Sequence, residues 1–167
     1  MKKKPSAWLT AFVMEKRRQE TGTLHLLFWK GDWKLSKFYS LFSSSKGNAS
    51  FLGNPSGGVL VDAGVSCRKL LRALEAHDIS PEAVQAVCIT HAHTDHIAGL
   101  RVFLGKYPVP VYATADTIAA LKGIEKMPGD AEFREIGFSE TVHMDTMEVT
   151  AFPTMHDATG SCGYRFT

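Results

Sequence analysis

From residue 38 onward, short apolar runs alternate with polar breaks, and the spacing inside each run predicts its element. Residues 38–42 alternate like a strand, and residues 43–48 form a polar turn. Residues 49–53 and 58–62 read as the two strands of a hairpin across Asn54, Pro55, Ser56 and Gly57. Ser66 is placed to cap a helix carrying Leu70, Leu71 and Leu74 at helical spacing, with Ile79 just past its end. Residues 86–90 are almost wholly apolar and run into a polar loop, the pattern of a strand buried on both faces. Beyond Asp95, the spacing of Ile97, Leu100, Val102, Phe103 and Leu104 predicts one helix to about Lys106. A strand over 109–112, a helix over 114–122, a β-rich stretch over 131–152 with a turn near 137–139, and a strand over 162–166 complete the series. Strands separated by helices and followed by a β-meander indicate an α/β layered fold.

Residues 1–37 follow no clean helical or strand period and read as a basic N-terminal extension ahead of one domain over 38–167. They hold nine Lys or Arg against Glu15, Glu20 and Asp32, which leaves ten basic and fourteen acidic residues for the rest. The net charge of +2 therefore hides a mildly acidic body. Such an arm can attract phosphate or anionic surfaces, but scattering among Trp8, Leu9, Phe12 and Val13 argues against a dedicated binding stripe. Lys2–Lys4 followed by apolar residues 7–14 resembles a signal peptide, but Glu15, Lys16, Arg17 and Arg18 close it without a small-residue cleavage site.

A length of 167 residues suffices for one domain with a real core, and 44% hydrophobic with 22% charged residues is ordinary for a globular protein. No apolar run approaches the ~20 residues of a membrane-spanning helix. Cys67, Cys88 and Cys162 are widely spaced, odd in number and form no CxxC pair. They imply neither a disulfide framework nor a thiolate metal site, and they fit a reducing cytoplasm.

Chemistry concentrates at the end of the strand over 86–90. His91 and His93 project to one side of an extended chain and can reach a single metal ion. Asp95 and His96 follow where the chain turns into a helix, so they point elsewhere and can serve an adjacent second ion. Three of the chain's seven histidines fall in six positions. Nitrogen and oxygen donors without cysteine suit zinc first, and also manganese or iron.

The run Thr90, His91, Ala92, His93, Thr94, Asp95, His96, Ile97, Ala98, Gly99 resembles the T-H-x-H-x-D-H-x-x-G signature of the metallo-β-lactamase superfamily, and Asp62-Ala63-Gly64 resembles the D-x-G strand end that precedes it. The resemblance implies an αββα sandwich, here its N-terminal part, with two divalent ions at one sheet edge. It assigns His91, His93 and a downstream histidine, His156, to the first ion, and Asp95 and His96 to the second. Asp95 is also the candidate to orient the proton of the attacking water. His25, His77 and His143 are expected to be structural.

Within the superfamily, residues 42–49, the spacing to Asp62, the helix over 69–75, the phrase over 106–113 and the triplet His156-Asp157-Ala158 are similar to the YycJ-type branch. That branch implies a DNA substrate and exonuclease action from 5′ ends. Ser44, Ser45 and Asn48 then become candidates to donate hydrogen bonds to phosphate, although the same residues also serve to build a turn. The family pattern places a bridging aspartate and a last histidine beyond Thr167, so the chain reads as incomplete at its C-terminus. A small thioester or amide hydrolase of the same fold, and a non-catalytic metal-binding fragment, are the alternative functions.

Overall fold

The computed structural model describes residues 12–14, 36–144 and 147–167. In chain order its strands begin with Phe12–Met14 (β1), Lys37–Ser44 (β2), Gly47–Asn54 (β3), Gly57–Val61 (β4) and Val84–Cys88 (β5). They continue with Val111–Ala113 (β6), Phe133–Glu135 (β7), Thr141–Met144 (β8), Met147–Pro153 (β9) and Cys162–Phe166 (β10). The helices are Cys67–Glu75 (α1), Thr94–Ile97 (α2), Leu100–Leu104 (α3) and Ala115–Lys122 (α4). One sheet has the order β2-β3-β4-β5-β6-β7, and the other β1-β10-β9-β8.

The β3–β4 hairpin turns at Pro55 and Ser56, where Asn54 Oδ1 accepts the Ser56 N–H at 2.8 Å. From β4 to β7 the large sheet is parallel, and α1 and α4 make right-sized crossovers on one of its faces. Leu70 and Leu74 of α1, Leu100 and Phe103 of α3, and Ile118 and Leu121 of α4 bury there against Phe51, Leu60, Val87 and Val111. The opposite face sends Leu52, Val59, Val61, Ala86 and Cys88 into a second core with Val149, Ala151, Cys162, Tyr164 and Phe166 of the small sheet. Alternate residues of β4 and β5 thus enter two different cores, which is why those strands read as continuous apolar runs. Helices, large sheet and small sheet form three successive layers of an αββα sandwich among the described residues.

Two bonds lock the sheets at the end that carries the histidines. The Cys162 N–H donates to Thr90 O at 3.0 Å, and the buried Tyr164 hydroxyl donates to Ile89 O at 2.8 Å.

Three elements depart from the sequence pattern. The single helix expected up to Lys106 is two, because the chain folds in at Gly99 to donate its N–H to Ala63 O at 2.8 Å. A Cβ at Gly99 would lie 2.2 Å from Val65 O, so the break is also a close backbone approach. The turn expected over 43–48 shrinks to Ser45 and Lys46, because β2 and β3 keep pairing as far as Ser44 and Gly47. In the basic extension, residues 12–14 pair in parallel with β10, whose edge would otherwise present unpaired backbone groups. The rest of the signal-like stretch and His25 lie outside the described residues. No helix among the described residues is long and apolar enough to cross a membrane.

Candidate metal centre

The site is built where β4 and β5 end. Asp62, the first residue after β4, adopts a left-handed backbone (φ 60°), a conformation that aspartate tolerates better than most residues. Its N–H donates to Cys88 O at 2.9 Å, which keeps it level with the end of β5. The turned backbone points its carboxylate inward, where it is 1% exposed. There it accepts the Thr90 N–H at 2.9 Å, the Thr90 hydroxyl at 2.9 Å and His96 Nδ1–H at 2.7 Å. One buried anion therefore fixes both the loop entering the histidine run and the ring leaving it.

Backbone bonds bring the remaining segments onto this anchor. Ala63 N–H donates to His96 O at 2.7 Å, and Gly64 N–H to Asn48 O at 2.8 Å. Gly64 permits the approach: a Cβ there would lie 1.6 Å from Asp95 O and 2.7 Å from Asn48 N.

His91, His93 and His156 converge, each offering a ring nitrogen within 4.8 Å of the others. Their ring centroids lie 4.2 to 5.0 Å apart. His91 is the buried member, at 4% exposure. Its Nδ1 sits 3.0 Å from the Thr90 hydroxyl, while Nε2 is buried without a hydrogen-bond partner among the described residues. Burial, reinforced by the neighbouring His96, His156 and His93, pushes the His91 pKa down to about 3. The ring is therefore neutral at ordinary pH and keeps a free lone pair. His156 Nδ1 lies 2.8 Å from a carboxylate oxygen of Asp157, and the same oxygen lies 3.8 Å from His93 Nε2.

Asp95 and His96 form an adjacent group. Burial disfavours the charged form of His96, but the hydrogen bond and charge of Asp62, with the charge of Asp95, outweigh it and raise its pKa. His96 Nε2 lies 3.7 Å from Asp95 Oδ2, and the Asn48 amide nitrogen is 3.2 Å from each. Ser44 closes its own turn, accepting the Lys46 N–H at 3.2 Å, and Ser45 is exposed beside it. His143 sits apart, on the surface 3.5 Å from Glu148, and His77 lies tilted against Tyr39, ring centroids 5.0 Å apart. The three cysteines are free and buried.

Histidines from loops of both sheets, with an aspartate and a fourth histidine beside them, form a cluster at the rim of the αββα sandwich that could hold a metal ion. Residues 45–167 match the family model of the metallo-beta-lactamase superfamily, and the chain belongs to that superfamily. Among curated relatives it is 34% identical to "Exodeoxyribonuclease YycJ" of Bacillus anthracis over 131 residues, 77% of this chain and 49% of that protein. It is 32% identical to "Exodeoxyribonuclease WalJ" of Streptococcus pneumoniae serotype 2 (strain D39 / NCTC 7466) over 134 residues, 78% of this chain and 49% of that protein. The chain thus spans about half the length of these relatives. The solved Rm3 metallo-beta-lactamase shares the fold with a TM-score of 0.63 at 20% identity, over 76% of this chain and 55% of its own.

Membership implies divalent metal, and the residues present fit it. An imidazole nitrogen buried without a partner is costly in a protein interior. A cation shared with His93 and His156 would satisfy it. Sequence reasoning named those histidines but gave no role to Asp62, Gly64, Thr90 or Asp157. The available signals were a carboxylate ending an apolar strand, a glycine two residues on, and an acid beside His156.

Proposed function

We propose that this chain carries the metal centre of a dinuclear hydrolase that cleaves phosphodiester bonds in DNA as an exonuclease. The observation that carries the reading is the orphaned, neutral Nε2 of His91 facing His93 and His156, with Asp95 and His96 alongside. The YycJ and WalJ relatives supply the DNA substrate class. His91, His93 and His156 hold the first ion, and Asp95 and His96 contribute to the second, with zinc foremost and manganese or iron as alternatives. Ions so held supply Lewis acidity for a phosphoryl oxygen and lower the pKa of water towards neutrality.

The chain's own residues do the positioning. Asp62 holds the proton of His96 on Nδ1, leaving its Nε2 as the donor atom, and the Asp157 carboxylate stands beside both His156 Nδ1 and His93 Nε2. Asp95, partly exposed at the rim, is placed to orient the proton of an attacking water. Ser44 and Ser45, on the adjoining turn, are the hydroxyls proposed to meet phosphate. The test is hydrolysis of 5′-phosphorylated DNA beside a small thioester, with zinc or manganese and with chelator, by the chain and by His91→Ala. Metal-dependent release of nucleotides that His91→Ala loses is expected. Thioester turnover without DNA cleavage would overturn the substrate assignment, and metal-independent cleavage would overturn the centre.

A further inference from the structure

The two donor groups of this rim differ in one respect. Among the described residues His91 Nε2 has no partner, whereas His96 Nε2 and Asp95 Oδ2 both face the Asn48 amide nitrogen at 3.2 Å. Asp95 O is also 3.4 Å from that nitrogen. Since Asp62 can only accept, a neutral His96 keeps its proton on Nδ1, and its single lone pair lies on Nε2. An amide N–H and a cation cannot use that lone pair together.

We propose that Asn48 is a competitor for the second ion: its side-chain amide holds the lone pairs of His96 and Asp95, and an ion enters only as the amide swings away. This rests on the metal-centre reading above and adds an order of events to it. The first site, with nothing to displace at His91, fills first, and Asn48 sets the affinity gap between the two. The amide is well suited to the task. Its N–H groups carry partial positive charge where an ion would carry a full one, so Asp95 and His96 keep their arrangement before loading. It is also only partly buried, so it has solvent to turn into. The backbone role of Asn48, accepting the Gly64 N–H at 2.8 Å, is independent of its side chain and survives truncation.

Zinc or manganese alone, titrated into the chain and into Asn48→Ala against a competing chelator, tests this. The second binding event should tighten about five- to ten-fold in Asn48→Ala, the equivalent of one or two ordinary hydrogen bonds no longer broken on loading. The first event should stay within two-fold. A second event that weakens or does not change would overturn the proposal, since Asn48 would then be a ligand or a bystander. An independent readout on the unmutated chain is the Asn48 side-chain amide resonance during zinc titration. It should move with the second equivalent and not the first, and a resonance that stays fixed through two equivalents would equally overturn it. If the chain takes up no ion at all, the metal-centre reading itself falls, an outcome distinct from one tight site with an indifferent Asn48.

Discussion

Replacing Asp62 with Asn exchanges one buried oxygen for an NH2 and should reach the second ion site without touching it. Asparagine tolerates a left-handed backbone about as well as aspartate, so the φ of 60° is kept. The amide oxygen, at the Oδ1 position, can go on accepting from the Thr90 N–H, now at 2.9 Å, and from the Thr90 hydroxyl, now at 3.1 Å, while the hydroxyl's 2.9 Å contact with Oδ2 is lost. The new NH2 then faces His96 Nδ1 across the 2.7 Å contact, where two donors would oppose each other. The ring relieves this by moving its proton to Nε2, which removes the lone pair that faces Asp95 and Asn48. The stability cost is the loss of one charge-assisted bond, about 1.5–3 kcal/mol. Metal affinity at the second site should fall about 10- to 100-fold, as happens when a partner that orients a ligand is removed. The first site has its own support and should fall much less. Urea denaturation measures the first quantity, chelator-competed zinc titration the second, and imidazole 15N shifts the tautomer. A variant that keeps its proton on Nδ1 and binds two ions with unchanged affinity would refute the reasoning.

Other substitutions follow from the same contacts. Gly64→Ala puts a Cβ 1.6 Å from Asp95 O, so it should cost at least about 3 kcal/mol in denaturant unfolding and weaken the second site. His91→Ala should abolish the tight site in metal analysis of folded protein, while His143→Ala, a surface residue, should leave metal content unchanged. Burial pushes the Cys162 thiol up to about 11, so iodoacetamide at pH 8 should label it only after unfolding. Because the unfolded thiol ionises first, Cys162 should also make stability fall as pH rises from the ordinary value of 9 towards 11, measurable as a declining Tm.

Much of this site could be read in the chain because its signals are local. Each of the strands expected between Phe38 and Phe166 has a counterpart, since apolar residues recur at the periods that two buried faces require. His91, His93, Asp95 and His96 are close in space because they are close in sequence. What escaped depends on distant approach. The helix break at Gly99 is set by the Ala63 carbonyl, a partner that no local period reveals. Asp62 looked like the end of a strand, and only the left-handed turn of its backbone sends the carboxylate to Thr90 and His96. Asn48 reads as a turn residue and a donor to phosphate at the rim, and the pairing of β2 with β3 instead carries it past the turn, where its amide faces Asp95 and His96. The strand at 12–14 has three residues, too few to show a period at all.

The lock between the sheets at Ile89 and Thr90 has a mechanical meaning. His91 and His93 extend from the large sheet, while His156 belongs to the loop that leads into β10 of the small one. An ion bound by all three is therefore a cross-brace between layers, in parallel with the Tyr164 and Cys162 bonds. Loading at 100 times the dissociation constant would add about 2.7 kcal/mol of resistance to unfolding, concentrated on the separation of the two sheets. Chelation would then loosen the sandwich along that plane first, and amides of β10 would gain hydrogen-exchange rate ahead of those buried beneath α1 and α3.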